Sequence, residues 1–430
     1  MKRNSPLFIF LLIAMSCSES KNTITRLDDY RIYLSYNQLI SKDPAQEELK
    51  FWSERLKKNG YDETSLMKLG ALHAALFRST GLAEHILLSD SLYKAVLQKH
   101  PEGNVEVYHN LSANSIAQHK FQEAKDYAEK ALSLKDKKAT SLLQLVDASL
   151  EVGDYATANR ILRQFTNKNS FAYLIRKAKL KDHEGLLDSA LVCMEKAYER
   201  IKGNKKMAQW ALSNLGDMYG HAGKIDDSYA AYLEVLKNNP QDDHSLKGIA
   251  WIALSHDRKT SDAKTIINAL AVRKRMPEAH LMLAEIAAME GNEREKLLQL
   301  KIFKSIVSDA RYKTMYNKYL ALLEAEELDN AEAAVSIAHA EITNRPTPES
   351  YDLLAWSYYH QGKFEQALDI AFHKVENQTF EPESFYHIGM IYQANGNKEK
   401  ARHYLTQALE SKFELGPSSY KKIKNALQDP

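Results

Sequence analysis

Residues 209–240 read QWALSNLGDMYGHAGKIDDSYAAYLEVLKNNP, and this stretch decides the fold. Leu212, Leu215 and Tyr219 fall at three- and four-residue spacing, which places them on one face of a helix. The pattern stops at His221-Ala222-Gly223-Lys224, a run with turn chemistry, and restarts with Tyr229, Tyr232, Leu233 and Leu236. Asn238-Asn239-Pro240 ends the second run. Two helices packed about 8–10 Å apart need small residues where they touch. Gly216 and Ser228 stand at those points. One such hairpin leaves an apolar face bare, so it needs neighbours.

The neighbours are present. Followed through the small residue of the second helix, the unit recurs at Ala124, Ala158, Ala190, Ser228, Ala263, Lys296, Ala331, Ala367 and Ala401, at intervals of 34, 32, 38, 35, 33, 35, 36 and 34 residues. Seven of these nine are Ala, too regular for coincidence. Good copies of the hairpin begin at Tyr351 and Phe385, with Leu354-Ala355 and Tyr358, and Ile388-Gly389 and Tyr392, in the slots of Leu215-Gly216 and Tyr219. The copies around Lys296 and Ala331 are weaker, and an earlier one starting at Ser65 has its second helix late, which implies an insertion near residues 80–88.

The unit resembles the tetratricopeptide repeat, whose pattern W-x2-L-G-x2-Y…A-x3-F…P is met by Leu212, Leu215-Gly216, Tyr219, Ser228, Tyr232 and Pro240. Leu takes the Trp slot, Ser the Ala slot and Tyr the Phe slot. The resemblance implies an all-α, right-handed superhelical solenoid of about nine or ten repeats over residues 63–415. It is flanked by a capping helix pair at 27–62, its first helix over 27–40, and a capping helix at 416–430, whose Lys421, Lys422 and Lys424 would face water. Solenoid ends need such polar outer faces.

The N-terminus reads differently. Lys2 and Arg3 form a basic head and residues 7–15 an apolar run too short to span a bilayer, the pattern of a secretory signal over residues 1–16. Ile13-Ala14-Met15-Ser16-Cys17 resembles the lipobox of bacterial lipoproteins, which implies acylation of Cys17, a tether over 17–26 and a place in the bacterial cell envelope. Ser18 after the cysteine favours the outer membrane by that analogy. The other cysteine, Cys193, lies in an apolar helical run and reads as a packed thiol.

Charge and motifs narrow the function. Lys and Arg number 58 against 56 acids, and the leader takes two of the basic residues, so the mature chain is formally neutral and offers no electrostatic case for nucleic acid. No P-loop, G-x-G-x-x-G, H-E-x-x-H, C-x-x-C or G-x-S-x-G occurs, and the 15 His are scattered. No catalytic residue, metal site or cofactor is expected, and no small-molecule ligand. Asp226-Asp227 and Asp242-Asp243 sit at helix starts, where negative charge favours the amide dipoles. From Tyr155 to Trp210 twelve basic residues face five acids, a stretch that serves either an acidic partner or a solvated face balanced from elsewhere.

Family architecture places the first helix of each hairpin on the concave wall. Carried over, it puts His109, Asn110, Gln144, Asp147, Arg176 and Lys179 there, then Trp210, Asn214, Asp217, Lys247, Trp251, Leu281, Met282 and Glu285. Tyr316, Asn317, Trp356, Tyr359, Tyr386, His387 and Met390 complete the wall. Aromatic rings and amides at such positions suit a protein or peptide partner, as in a membrane-tethered scaffold. Two alternatives stay open: a glycan- or nutrient-binding lipoprotein, and curvature tight enough to pack these rings against neighbouring repeats.

Overall fold

The computed structural model describes residues 23–35, 44–100 and 102–428. Cys17 and the leader lie outside the described residues. A short helix α1 (Leu27–Leu34) and α2 (Pro44–Asn59) come first. Ten hairpins follow among the described residues. They are α3/α4 (Glu63–Thr80, Ala83–Lys99), α5/α6 (Val105–Ala117, Phe121–Ser133), α7/α8 (Lys138–Glu151, Tyr155–Leu162), α9/α10 (Phe171–His183, Leu187–Ile201) and α11/α12 (Lys205–His221, Ile225–Asn238). Next come α13/α14 (Asp243–Trp251, Thr260–Arg273), α15/α16 (Glu278–Met289, Glu293–Val307), α17/α18 (Asn317–Glu326, Ala331–Asn344), α19/α20 (Pro348–His360, Phe364–Ile370) and α21/α22 (Pro382–Ala394, Lys398–Glu410). The chain ends with α23 (Lys412–Gln428).

Local chemistry sets the helix starts. Asp154, Asn204, Asp242, Asn292, Asn330 and Asn397 each accept a hydrogen bond from the amide three residues on, satisfying a donor the helix itself leaves free. In seven hairpins the small residue is the fourth of the second helix: Ala124, Ala158, Ala190, Ser228, Ala263, Ala367 and Ala401 are all buried. At Gly216 the fit is close enough that a Cβ would come within 2.5 Å of the Tyr232 ring, and Ser228 Oγ donates to the Gly216 carbonyl at 2.6 Å.

Two details of the expected register change, and Lys296 stands where it is expected. In α18 the buried small residue is Ala334, not Ala331, because a 3-10 turn (Lys313–Tyr316) lengthens the preceding connection. In α16 the position holds Lys296, whose ammonium is drawn to Glu327 at 2.7 Å. No loop is inserted near residues 80–88: α3 and α4 are themselves long, 18 and 17 residues, and the small residue of α4 is Ser89. Its Oγ donates to the Gly70 carbonyl at 2.8 Å, the bond Ser228 makes to Gly216.

The array winds so tightly that successive superhelical turns touch. Lys274 Nζ donates to the Arg78 carbonyl and Thr314 Oγ1 to that of His119, pairs separated by 196 and 195 residues. Arg275 N–H donates to the Thr80 carbonyl at 2.9 Å, and Gly81 is left-handed (φ 72°) with no room for a Cβ beside the Arg275 carbonyl. Gly153 lies against Thr347, Gly185 against Phe380 and Gly220 against Phe413. The recurring step equals between five and six repeats of 34 residues, so the turn inside one hairpin meets the connection entering the sixth hairpin on.

The same winding relocates the N-terminus. Residues 24–34 do not pair with α2 as a capping hairpin. α1 packs on α12 and α14, with Tyr30 fully buried, while α2 packs on α3. Ile24 and Thr25 belong to the folded body, not to a tether: their amides and the Thr25 hydroxyl donate to the Asp257 carboxylate at 2.6–3.1 Å. Arg273 donates to the carbonyls of Tyr33 and Leu34.

Candidate functional site

Inside the superhelix lies a cavity of about 860 Å3, lined by first helices of the middle and later hairpins and by α23. Of the residues placed on the concave wall from sequence, Asp217, Lys247, Trp251, Met282 and Tyr316 line it, with Leu281 and Glu285. Sequence reasoning missed His244, Glu278, Tyr319, Glu326 and Glu327. The three-residue shift from Ala331 to Ala334 hid Tyr319, which lies three residues beyond the expected Tyr316.

The other wall candidates are engaged elsewhere. Trp356, Tyr386 and His387 are buried, which corrects their assignment to an open surface. The Trp356 ring stacks on Tyr359 (centroids 4.6 Å) and His387 (4.1 Å), and its indole N–H donates to Glu326 at 2.9 Å. Met390 packs against the same aromatic cluster. His109 is also buried, bonded to Ser141 at 2.8 Å, and Gln144 donates to the His109 carbonyl. Arg176 spends its guanidinium on Leu143 O, Ala172 O and Asp147, and Asn317 donates to Glu341. Lys179 pairs with Glu151. Asn110 is half-buried on α5. Trp210 is exposed, edge-on to Phe171 at 5.9 Å, and Asn214 donates to its carbonyl. Tight curvature is the cause: first helices of adjacent hairpins converge on the concave side, so long side chains there meet each other before they meet solvent.

Part of the basic stretch is engaged in the same way. Four of its twelve basic residues, Arg176, Lys179, Lys181 and Lys202, are ion-paired with Asp147, Glu151, Glu184 and Glu199, two of these acids lying upstream of the stretch.

The cavity itself is acidic. Asp217, Glu278, Glu285, Glu326, Glu327, Glu383 and Glu414 line it against one lysine, Lys247. Asp217 accepts from Tyr232 OH at 2.6 Å and His244 at 2.8 Å; burial pushes its pKa up, but these partners outweigh burial and hold it below the usual range. Glu326 likewise sits low through Lys422 and Trp356. At the α21 end the balance reverses. Burial first, then the Glu414 charge, pushes Glu381 up to about 7, although water reaches its side chain. Glu414 is raised as well, by burial foremost.

α23 closes one side. It breaks at Gly416 (φ 76°, ψ 174°) and resumes at Pro417. Trp251 Nε1 and Ser255 Oγ both donate to the Phe413 carbonyl, at 3.0 and 2.8 Å. Glu285 accepts from the Ser418 amide at 2.8 Å, and Glu326 from Lys422 at 2.7 Å. Of the three lysines expected to face water, Lys422 is therefore held by the wall. The wall can thus grip peptide main chain by carbonyl and amide, and a lysine by charge. Among the described residues no group of three or more His, Cys, Asp or Glu could hold a metal ion, and no helix is long and apolar enough to cross a membrane.

Tetratricopeptide repeat family models match residues 348–371 and 382–414. Among the curated proteins nothing matches. Solved structures that resemble the chain include a tetratricopeptide repeat protein from Parabacteroides merdae, 20% identical over 60% of this chain and 97% of that one, with a TM-score of 0.35. Human IFIT1, solved as a dimer with PPP-AAAA, is 15% identical over 89% of this chain and 93% of its own, with a TM-score of 0.44. Pseudomonas aeruginosa pilF is 13% identical over 49% and 96%, with a TM-score of 0.36. Ten hairpins built to one plan among the described residues make the chain an all-α solenoid, and its last two hairpins, α19 to α22, match the tetratricopeptide repeat.

Proposed function

We propose that the chain is a scaffold that holds a peptide segment of another protein in its central cavity, without catalysis, and that an acylated Cys17 tethers it to a bacterial envelope membrane, the outer membrane by the lipobox analogy. One observation supports the peptide reading above others: Trp251, Ser255 and Glu285, on two different hairpins, already bind main-chain carbonyl and amide groups of an irregular segment. Side chains that satisfy the backbone take peptides with little demand on sequence, and the aromatic wall of Trp251, Tyr316 and Tyr319 adds area at low entropy cost.

The test is selection of a random peptide library on the immobilised chain from residue 18, with counter-selection on the double variant Glu278→Lys, Tyr319→Ala. Both positions face the cavity and neither is fully buried, so folding should survive. Peptides enriched on the first chain and lost on the second support the reading; peptides retained by both place binding elsewhere. For the tether, Cys17→Ser should move the protein from the membrane to the soluble envelope fraction, and the mature N-terminal peptide should carry the mass of a lipid.

A further inference from the structure

The last segment of the chain touches parts of the solenoid that a terminal cap has no need to reach. A cap covers the final hairpin, and α23 does so: Ile423 is fully buried among Trp356, Tyr386, Leu405 and Ala408. Yet the polar bonds of the segment run to Trp251 and Ser255 beside α13, to Glu285 of α15 and to Glu326 of α17. Those residues belong to the concave wall of three earlier hairpins. The segment is seated there as a ligand would be, by carbonyl, amide and ammonium.

Its attachment is also separable from the array. α22 ends at Glu410 and a turn at Ser411 precedes α23, so Phe413 and the helix beyond the Gly416 break can leave the wall without unwinding α22. From Ser418 to Gln428 only Ile423 is fully enclosed, Lys421, Lys424 and Asn425 are exposed, and the Lys422 pair is itself half open to water. Charge complementarity favours an occupant with lysine or arginine: of the seven lining carboxylates Glu326, Glu327 and Glu383 are paired with Lys422, Lys296 and Lys318, and the other four face Lys247.

We propose that residues 413–428 are a displaceable internal occupant of the cavity, and that a cationic peptide gripped by the same wall groups competes with them for it. This rests on the reading of the cavity as a peptide site. A chain whose competent, tail-released form is a tenth of the population or less binds in trans at least tenfold more weakly than a chain with the tail loosened.

The probe is a fluorescein-labelled peptide of residues 411–430, titrated by anisotropy into the full chain and into the full chain carrying Gly416→Ala with Lys422→Glu. A Cβ at 416 would lie 2.7 Å from the Trp251 ring in a left-handed backbone, so the double variant unseats the tail. The expected result is at least tenfold tighter binding by the variant, weakened again when the labelled peptide itself carries Lys422→Glu. Equal affinity for both chains overturns the proposal, as does no binding by a variant whose circular dichroism and melting match the parent. Should the variant not fold, hydrogen exchange on the unmodified chain decides. Amides of residues 419–428 exchanging faster than those of α22, and faster still with excess peptide, support it; protection equal to α22 and indifferent to peptide overturns it. Library peptides bound equally by both chains sink only the competition, whereas no selected peptide on either chain sinks the peptide site itself.

Discussion

Trp251 donates its indole N–H to the main-chain oxygen of Phe413, 162 residues further along the chain, at 3.0 Å. Ser255 donates to the same oxygen. Replacing Trp251 by Phe or Ser255 by Ala removes one of two donors, and each should cost about 1 kcal/mol in urea denaturation. The double variant should cost more than the sum, because the carbonyl is then left without either donor.

Trp356 and Trp210 should behave oppositely although both were placed on one wall from sequence. Trp356→Ala removes a stacked, buried ring and leaves Glu326 without its indole partner; a loss of about 3–5 kcal/mol is expected. Trp210→Ala, at an exposed ring, should shift stability by about 0.5 kcal/mol or less. Thermal melts of the two single variants decide.

Asp257 pins the N-terminal segment. Burial raises its pKa, but hydrogen bonds from Thr25, His256 and Ile24 outweigh burial and hold it below the usual value. The stability it contributes is therefore complete above the ordinary carboxylate range and lost as pH falls through the lowered value. Asp257→Ala should cost about 3 kcal/mol and open Arg26 and Arg31 to trypsin, visible as early loss of the N-terminal fragment. Resistance equal to the parent would mean that α1 is held by packing alone.

Gly81→Ala tests the contact between superhelical turns. The new methyl meets the Arg275 carbonyl in a left-handed backbone, so about 2 kcal/mol of destabilisation is expected, with a larger radius of gyration by small-angle scattering as the turns part.

Glu381 gives the fold a pH dependence of the opposite sign to Asp257. With its pKa pushed up to about 7, the folded state holds more protons than the unfolded chain between the ordinary Glu value and 7, so stability falls as pH rises through that window. Glu381→Gln should flatten that part of the stability curve and leave in place the acid limb, to which Asp257, Asp217 and Glu376 contribute.

Much of this was legible in the residues. Gly216, Ser228 and Tyr232 announce the hairpin because the spacing that packs two helices is local, within one unit. Ser89 and Ala334 were misplaced for the same reason: a longer α3/α4 pair and a 3-10 turn alter the count between units without altering the packing at the marker.

What the sequence by itself determined is the repeat, its small residues and its caps, since these depend on side chains a few positions apart. Only the tertiary structure decided which wall residues remain open. Small rotations between hairpins accumulate until Thr80 meets Arg275 and Asp257 meets Thr25, and no local pattern encodes the sum. That same winding buries Trp356, leaves Trp251 on the cavity and brings Phe413 against it, because bonds between distant parts are set by curvature rather than by spacing.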